Sequence, residues 1–334
     1  MLGDVYLSQL LKRRGFRVVN IDSHPNGIWW MDWLLEHRPM VVILHSINEL
    51  TKFIDHKEQH LDQTYKPYKI VLPTEGTIFY DETERQALHK NLDKNWDFTL
   101  PDLYFCWNQI EIDELPKNTE LDRSVLELAS HQRFDLHRKP LNSICPPRKA
   151  LLNKYNIPTD RDWKIVTVAF NFPHCEKEAQ EGQMKADIWD NQLPEGFGYD
   201  DVIDRHYTDR KEMKQFVKKI VDKFSNVWVL AKPHPLSRDS SYTDIMNYER
   251  CTLLRTDFIH NMLSISDLLI HYKCTSMLEA WLADVPALNF ANTDMHEIWK
   301  REVNHGPFDA SNSNEALKMV RQILNSDEKV PLRK

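Results

Sequence analysis

The sequence predicts an α/β protein built from two doubly wound parallel sheets. Short, almost wholly apolar runs recur along the chain and alternate with segments of helical periodicity. Runs of this kind are typical of strands that are buried on both faces of a parallel sheet. The runs form two series separated by a proline-rich stretch, so the 334 residues should fold as two successive domains of ordinary size.

The first series holds five predicted strands. They are Phe16–Ile21, Met40–His45, Tyr68–Pro73, Leu103–Trp107 and Val125–Ala129. Before them, residues 4–14 have the spacing of a helix, with Asp4 as its N-cap and Gly15 as its C-terminal stop. A domain of this class ordinarily opens with a strand, so either a first strand is missing or the start of the chain is misplaced.

The second series follows a stretch with four prolines between Pro140 and Asp162, which is typical of a linker. We therefore predict domains at residues 1–155 and 156–334. The predicted strands of the second domain are Lys164–Phe170, Val227–Ala231, Asp267–His271 and Pro286–Phe290. Its predicted helices are Lys211–Phe224, Ser276–Ala283 and Ser313–Leu324.

Composition excludes several classes of protein. The formal net charge of −7 provides no general attraction to nucleic acid or to anionic lipid. The five cysteines are scattered and form no CxxC pair, so neither a disulfide framework nor a structural zinc site is expected, and a reducing cytosol suits the chain. No segment approaches the ~20 apolar residues of a membrane span, so any membrane association would be peripheral.

The strongest local motif is Lys-Pro-His-Pro at residues 232–235, directly after a predicted strand. Ligands of open α/β sheets bind beyond the carboxyl ends of the strands. Lys232 and His234 would donate hydrogen bonds to phosphate oxygens there, while the prolines, including Pro235, stiffen the loop. The competing interpretation is an ordinary turn whose histidine caps a carbonyl, and the four residues alone leave the two interpretations about even.

A second motif lies where the helix after the strand Asp267–His271 begins. Free backbone N–H groups and the helix dipole attract anions at that end, and the hydroxyls of Thr275 and Ser276 would add two donors. Glu279 stands three residues beyond Ser276, so a capping box of these two residues is the structural alternative. Both can hold together, because a cap fixes the loop that a ligand would use.

Three weaker signals also follow strands. Glu75 and Gly76 form a tight turn that would suit a general base, although a surface turn is the better account of this fragment alone. Arg133 and Asp135 predict either an ion pair or an arginine that binds a sugar carboxylate, with the structural pair favoured. Asn171 ends the first strand of the second domain, where its amide would contact phosphate or base, or would simply finish the strand.

Histidine and tryptophan supply two further candidates, and structural roles are favoured for both. His56 and His60 are one helical turn apart and would share a helix face. The stretch around them is polar, so a solvated helix face is the better account and no metal site is expected. Trp29, Trp30 and Trp33 would form a platform for a sugar ring, although packing within the first domain explains them more simply.

The order of these motifs resembles a known family. A carboxylate–glycine turn, an Arg-Phe-Asp turn, a strand ending in Asn, the Lys-Pro-His-Pro motif and a Ser/Thr-initiated helix follow one another as in the bacterial surface carbohydrate biosynthesis family. The sequence is also similar to capsule-type Kdo transferases, bacterial sialyltransferases and CDP-glycerol polyol-phosphate transferases. The resemblance spans Gly15 to Leu324.

The resemblance implies a GT-B glycosyltransferase with two Rossmann-like domains facing a cleft, the first for the acceptor and the second for the donor. It makes Glu75 and His234 the catalytic residues, although relatives often carry two acidic residues where this sequence has one. The implied donor contacts are Asn171, Lys232, His234, Pro235, Thr275, Ser276 and Glu279, and the implied acceptor or sugar contacts are Gly76, Arg133 and Asp135.

The donor implied by the resemblance is a nucleotide sugar, with CMP-Kdo or another CMP-ulosonic acid first. Its leaving group is a monophosphate that His234, Lys232 and the helix terminus would stabilise, so neither a metal nor another cofactor is expected. The expected acceptor is an oligosaccharide or lipid-linked chain of a surface polysaccharide, such as lipopolysaccharide O-antigen or capsule. The expected location is the cytoplasm, with at most peripheral contact at the inner face of the inner membrane.

Three alternatives stay open at this point. A CDP-polyol phosphotransferase would make a phosphodiester product. A sugar-nucleotide epimerase of the same fold would release free epimer without any acceptor. An inactive scaffold of an assembly complex would bind a nucleotide and turn nothing over.

Overall fold

A computed structural model of the chain describes residues 2–20, 29–60, 64–72, 99–129, 132–139, 141–172, 175, 199–235, 237, 239–291 and 308–326. The chain divides into two compact units, Met1–Asp135 (unit 1) and Leu136–Lys334 (unit 2). Among the helices described, none is both long enough and apolar enough to cross a membrane.

Over the residues described, unit 1 contains four short parallel strands and the helices around them. Its elements are helix α1 (Leu2–Arg13), α2 (Trp29–His37), strand β1 (Val41–Leu44), α3 (Ile47–Gln59), β2 (Tyr68–Val71), β3 (Leu103–Cys106), α4 (Gln109–Asn118) and β4 (Leu126–Leu128). The strands lie side by side in chain order, and every pair is parallel. Each coincides closely with a predicted strand, which confirms the parallel sheet of the first series.

Helices α3 and α4 both begin where a short polar side chain accepts a hydrogen bond from the first turn. The Ser46 side chain accepts from the backbone N–H of Glu49 at 3.1 Å, and the Asn108 side chain accepts from that of Glu111 at 2.9 Å. Each interaction satisfies one of the amides that a helix leaves without an internal partner. Both helices therefore start at the carboxyl end of the strand that precedes them.

The core of unit 1 lies between its sheet and helices α2 and α3. Phe53 is fully buried, and its ring lies 6.4 Å from that of Trp30 and 6.3 Å from that of Tyr65. Trp33 instead stacks on His37 at 4.2 Å, and Trp29 is about half exposed. The three tryptophans therefore form no common platform, and the packing interpretation holds for Trp30.

The predicted strand Phe16–Ile21 is wrong over the residues described. Residues 16–20 have no regular structure, and Phe16 and Val19 are 59% and 52% exposed, because no neighbouring strand among the described residues covers them. The preceding helix ends at Arg13, and Gly15 follows two residues later as its predicted C-terminal stop, with φ at +90°, a conformation that favours glycine. Since α1 begins at Leu2, Asp4 lies within the helix and is not its N-cap.

Unit 2 contains strands interspersed with helices over the residues described. Its elements are α5 (Arg148–Lys154), β5 (Lys164–Phe170), α6 (Tyr199–Lys223), β6 (Val227–Pro233), β7 (Cys251–Leu253), α7 (Ile259–Leu263), β8 (Leu268–His271), α8 (Ser276–Leu282), β9 (Ala287–Phe290), β10 (Phe308–Ala310) and α9 (Ser313–Asn325). The four predicted strands and three predicted helices are all present. Strands β7 and β10 were missed, because three residues are too few to show a pattern.

The sheet of unit 2 has the strand order of a Rossmann fold. The six strands in the described part of unit 2 are all parallel, in the order β10-β9-β8-β5-β6-β7. The chain starts in the middle at β5, moves outward to β7, and then crosses to the other side of β5 to build β8, β9 and β10. The direction of winding thus reverses between β5 and β8, which makes this the topological switch point of the sheet.

Helix α6 carries the apolar stripe that the sequence predicted and continues it further. Met213, Phe216, Val217 and Ile220 are all fully buried in the main core cluster of unit 2. The ring of Phe216 lies 4.7 Å from that of Phe290 on β9, so the stripe packs directly on the sheet. The helix begins at Tyr199, twelve residues before the predicted start at Lys211.

The two units divide at Asp135 and Leu136, earlier than the boundary expected at residues 155 and 156. Leu151 and Tyr155 on and after α5 are 0% and 1% exposed and join a buried cluster of unit 2. Arg148 donates from its guanidinium to the carbonyls of Ile265 and Trp163. The proline-rich stretch is therefore an ordered, packed part of unit 2 where it is described.

Candidate functional site

The loops that follow β5, β6 and β8 leave the sheet of unit 2 side by side. The register pairs Phe170 of β5 with Pro233 of β6, and Ala169 of β5 with His271 of β8, so the three carboxyl ends are level. Adjacent strands lie ~4.8 Å apart, so the three chain exits span about 10 Å. Asn171 is the first residue beyond β5, in the middle of the three. Open α/β sheets bind their ligands in the crevice at such a switch point.

Hydrogen bonds from two asparagines hold the segment between β8 and α8, residues 272–275, which we call the switch loop. Asn171 donates from Nδ2 to the carbonyl of Lys273 at 3.1 Å, and Asn289 accepts from the N–H of Lys273 at 3.0 Å. Asn289 is 1% exposed and donates in turn to Asp309 at 2.9 Å. Lys273 has φ at +40°, which costs an L-residue about 1–2 kcal/mol. The asparagines therefore hold the backbone in a conformation that it would not adopt unaided.

His271 supports the same loop from inside the sheet. It is fully buried, and its Nδ1 accepts from the N–H of Cys274 at 3.3 Å. Burial lowers the pKa of His271 to about 4, against a smaller opposing effect of Asp309. The imidazole is consequently neutral near pH 7, which leaves Nδ1 with the lone pair that this hydrogen bond needs.

The Lys-Pro-His-Pro motif begins inside the sheet. Strand β6 continues through Lys232, whose Nζ donates to the carbonyl of Arg255 at 2.7 Å. Burial lowers the pKa of Lys232, and Asp257 partly offsets that shift. The carbonyl of His234 accepts from the N–H of Ser237 at 2.9 Å, and that of Pro235 accepts from the Arg255 guanidinium at 3.2 Å. The motif is thus a turn braced from two sides by Arg255.

The capping box predicted at the start of α8 is wrong. The N-cap position is Thr275, in the right-handed helical conformation and without a side-chain cap, and Ser276 is already in the helix. The Ser276 hydroxyl lies 3.2 Å from Sγ of Cys274. Glu279 is 3% exposed, and its Oε2 lies 3.2 Å from Nε2 of His137. The predicted contacts of Thr275, Ser276 and Glu279 with a donor stay predictions.

His137 and Glu279 belong to a buried polar cluster of unit 2 that also includes His260. The two imidazole rings meet edge to face at 5.1 Å, and Nε2 of His260 lies 3.1 Å from the carbonyl oxygen of Leu136. Burial lowers the pKa of His260, and the neighbouring His137 lowers it further. Because His137 and Glu279 are 142 residues apart, no pattern in the sequence could have paired them.

A second buried polar group lies on the first half of α6. His206, Asp209 and Arg210 are 5%, 2% and 7% exposed. The ring of His206 lies edge-on to that of Tyr272 at 5.4 Å, and the guanidinium of Arg210 lies over Tyr242 at 5.8 Å. Burial, and then the carboxylate of Asp209, raise the pKa of Tyr272 well above its usual value. Charged side chains are rarely buried so deeply, and where they are they mark candidate functional sites.

In unit 1, Arg133 packs against aromatic rings. Its guanidinium lies 5.7 Å from the ring centre of Trp107 and 5.2 Å from that of Phe134. Asp135 is exposed at the end of the unit. A cation held over two rings is one structural role for Arg133, and its predicted contact with an acceptor or sugar stays a prediction.

Glu75 and Gly76 lie in residues 73–98, outside the described part of the chain. Sequence reasoning overlooked another carboxylate, Glu111 on α4, which is 1% exposed beyond the carboxyl end of β3. Its Oε2 accepts from the backbone N–H of Trp107 at 2.5 Å. Burial raises the pKa of Glu111 to about 8, although that hydrogen bond works in the opposite direction. The sequence does contain a pattern that could have identified Glu111. Asn108 is followed three residues later by Glu111, which is typical of the start of a helix.

The histidine pair lies on and directly after α3, but a solvated face is the wrong description of His56. It is 8% exposed, and its Nε2 lies 2.7 Å from Oδ1 of Asp32 on α2. His60 is exposed and lies 4.0 Å from the same oxygen. The partner from α2 is 24 residues away in sequence, so the helical spacing alone did not reveal it.

No protein-family model and no curated protein sequence matches the chain, whereas solved structures do. UDP-GlcNAc 2-epimerase from Neisseria meningitidis bound to UDP-GlcNAc is 13% identical, with 95% of this chain and 80% of that one covered at a TM-score of 0.53. The Methanocaldococcus jannaschii UDP-GlcNAc 2-epimerase in complex with UDP-GlcNAc and UDP is 12% identical, with 91% and 74% covered at 0.52. The S. aureus MnaA–UDP co-structure is 11% identical, with 93% and 74% covered at 0.52.

At these identities the likeness concerns the fold. Together with the two parallel sheets, it gives the chain a GT-B architecture of two Rossmann-like domains.

Proposed function

We propose that this chain is a glycosyltransferase that moves a sugar from a nucleotide-activated donor to a growing bacterial surface polysaccharide. The donor we propose is a CMP-linked sugar, CMP-Kdo or another CMP-ulosonic acid first. The observation that carries the proposal is the Rossmann-ordered sheet of unit 2, whose switch loop is held in place by Asn171 and Asn289. Sheets of this order take nucleotides at the switch point.

The proposed donor site uses the two loops beside Asn171. His234 and Lys232 on one side, and Thr275 and Ser276 on the other, would stabilise the departing phosphate. The ammonium group of Lys232 has three N–H donors, and one of them donates to the carbonyl of Arg255. The other two would donate to phosphate oxygens. A loop that is already fixed loses little entropy when a ligand binds, which favours affinity and orientation.

Glu75 is the proposed general base toward the acceptor hydroxyl. Glu111 has a pKa of about 8, close to the working pH of a general base. Its carboxylate, however, is 1% exposed and accepts from Trp107, so it cannot reach an acceptor without moving. Glu75 therefore remains the assignment, and Glu111 belongs to the interior of unit 1.

A thermal-shift screen with CMP, CDP, UDP and GDP tests the proposed donor class. A ligand that binds only the folded chain raises its melting temperature by mass action. We expect CMP to give the largest shift. A preference for UDP with no response to CMP would overturn the CMP assignment, and a preference for CDP would favour a polyol phosphotransferase.

His234→Ala tests the proposed site itself. Removing a group that stabilises the developing charge costs ~10²–10³ in turnover. We expect that loss without loss of folding, measured as product formed from the preferred donor and acceptor. His37→Ala, an exposed histidine on α2 of unit 1, is the matched control and should keep wild-type turnover. Unchanged activity of the His234 variant would refute the site.

A sugar-nucleotide epimerase is the second candidate, because several similar solved structures are 2-epimerases or carry UDP. Such an enzyme needs only one sugar substrate. Incubation with UDP-GlcNAc alone, followed by chromatography of the sugar nucleotide, separates the two: free epimer without acceptor indicates an epimerase. Nucleotide binding with neither epimer nor transfer product would indicate a scaffold.

A further inference from the structure

Three metal-ligating side chains converge on the outer side of helices α2 and α3 in unit 1. The candidate ligand atoms of Asp32, His56 and His60 all lie within 4.8 Å of one another. Oδ1 of Asp32 is 2.7 Å from Nε2 of His56 and 4.0 Å from Nε2 of His60. Two imidazoles and one carboxylate therefore face a single small volume, which we call the DHH cluster.

The scaffold beneath the cluster is ordered by the core of unit 1. His56 and His60 are one helical turn apart, which places both rings on one side of α3. Their ring centres lie 4.5 Å apart with the planes tilted by 59°, so the rings do not stack flat on each other. Trp30 and Phe53, whose rings pack together in the core, fix α2 against α3 two or three residues away. Packing therefore fixes the two helices that carry the cluster.

The distances suit a first-row transition metal. Ligands of a tetrahedral zinc ion, at ~2.0–2.2 Å from the metal, are about 3.4 Å apart. The separation of Asp32 from His56 is about 0.7 Å shorter than this and that of Asp32 from His60 is about 0.6 Å longer, so shifts of that size would bring both separations to the value expected around an ion. Rotation of the exposed His60 and Asp32 side chains supplies such shifts, because they are 56% and 54% exposed.

The three ligands differ in burial, and this difference would let an ion enter the site from solvent. His56 has a side chain that is only 9% exposed and anchors the inner wall, while Asp32 and His60 open to solvent. An ion would therefore meet one fixed ligand and two that close on it, with a coordination position left for water. Two nitrogens and one oxygen favour Zn²⁺, Co²⁺, Ni²⁺ or Cu²⁺ over Mg²⁺ and Ca²⁺, which prefer oxygen alone.

We propose that Asp32, His56 and His60 form a divalent transition-metal site that joins α2 to α3 in unit 1. The site is separate from the loops of unit 2 to which the nucleotide is assigned, so it stands whether or not that assignment holds. The His56–Asp32 hydrogen bond keeps two of the three ligands together. Protons compete with the metal for the imidazoles, so affinity should fall as the solution becomes more acidic.

Titration of the full chain, freed of any affinity tag, with CoCl₂ and ZnCl₂ tests the proposal. Isothermal calorimetry gives the stoichiometry, and the d–d absorption of bound Co²⁺ reports nitrogen and oxygen ligands. We expect one equivalent to bind at this site. His60→Ala and Asp32→Asn, both at exposed positions, should each weaken that binding by more than about tenfold, the scale on which even supporting residues affect metal affinity.

His37→Ala is the matched control, since His37 is an exposed histidine on α2 outside the cluster, and it should bind as the wild type does. Circular dichroism of each variant verifies that the fold is intact. Asp32→Asn keeps an oxygen that can accept the hydrogen bond of His56, so its loss of metal would not reflect a lost structural contact.

Either of two results would overturn the site. The first is wild-type metal affinity in both His60→Ala and Asp32→Asn, which would place any bound metal on other side chains. The second is binding of Co²⁺ and Zn²⁺ no tighter than that of MgCl₂, which would reduce the cluster to a hydrogen-bonded pair with a neighbour.

Discussion

The buried carboxyl of Glu111 gives the sharpest quantitative prediction, because its environment penalises ionisation. The side chain is 1% exposed, and burial raises its pKa to about 8 from 4.5. In the unfolded chain the same carboxyl ionises normally. Between these two pKa values the folded state therefore holds a proton that the unfolded state has lost. The contribution of this carboxyl to stability is therefore greatest below about pH 4.5, falls as the pH rises toward 8, and levels off above it.

The magnitude follows from the shift. One pKa unit corresponds to 1.36 kcal/mol, so the carboxyl costs unit 1 about 3 kcal/mol at pH 7 and up to about 5 kcal/mol well above pH 8. Glu111→Gln removes the ionisation and keeps an oxygen that can accept from the N–H of Trp107. The variant should match the wild type near pH 4.5 and be more stable by about 3 kcal/mol near pH 7.

Hydrogen exchange followed by mass spectrometry measures the free energy of unfolding of unit 1. Peptides from β1 and β3 report on unit 1 alone and not on unit 2. Asp113→Asn is the control on the same helix. Its carboxylate is 43% exposed and pairs with Arg123 at 2.8 Å, so its loss should change stability by less than about 1 kcal/mol. An equal pH dependence of stability in wild type and Glu111→Gln would refute the reasoning, because the titrating group would then lie elsewhere.

Two further predictions concern the interior of unit 2. Phe216→Ala should destabilise that unit by about 3–5 kcal/mol in urea unfolding, since the ring is fully buried against Phe290, whereas Gln215→Ala, at an exposed position of the same helix, should stay within about 0.5 kcal/mol. An equal loss in the two variants would contradict the packing described. His137→Ala should cost about 1–3 kcal/mol because it removes a hydrogen-bonding partner from the buried carboxyl group of Glu279, and replacing both residues by leucine should recover most of that loss. If the double variant is no more stable than the single one, the loss does not come from the polar contact between the two side chains.

The sequence predicted the sheets well because their strands are buried on both faces. Lys164–Phe170 has the predicted bounds, and all of its residues beyond the first are buried. Such a nearly continuous apolar run is typical of a strand that is buried on both faces of a parallel sheet. The run at Phe16 to Asn20 has a similar composition, yet it is exposed and irregular. The composition of such a segment indicates a tendency to form a strand. A neighbouring strand is still needed to supply hydrogen-bonding partners for its backbone.

The candidate sites were only partly predictable, because their polar residues act through partners that are distant in sequence. The sequence identified Asn171 as a strand-end residue. It did not identify Asn289, which accepts from the N–H of Lys273, because only the order of the strands in the sheet brings Asn289 next to that residue. The local sequence also suited a capping box for Glu279, but in the structure the Glu279 side chain contacts the buried His137 instead. A local motif states what a side chain can do, and the tertiary partner decides which of these it does.

Helix α6 shows how far apolar periodicity predicts the buried face of a helix, and how that prediction can be extended. Its buried stripe continues backward from Met213 through Arg210, His206 and Ile203, at the spacing of three and four residues that the apolar part follows. Because those positions carry charge or imidazole, a search for apolar periodicity stopped at Lys211. Polar residues at stripe positions of a strongly amphipathic helix are buried by the same geometry as their apolar neighbours. Extending a periodic pattern through polar residues therefore locates His206 and Arg210 on the buried face by spacing alone.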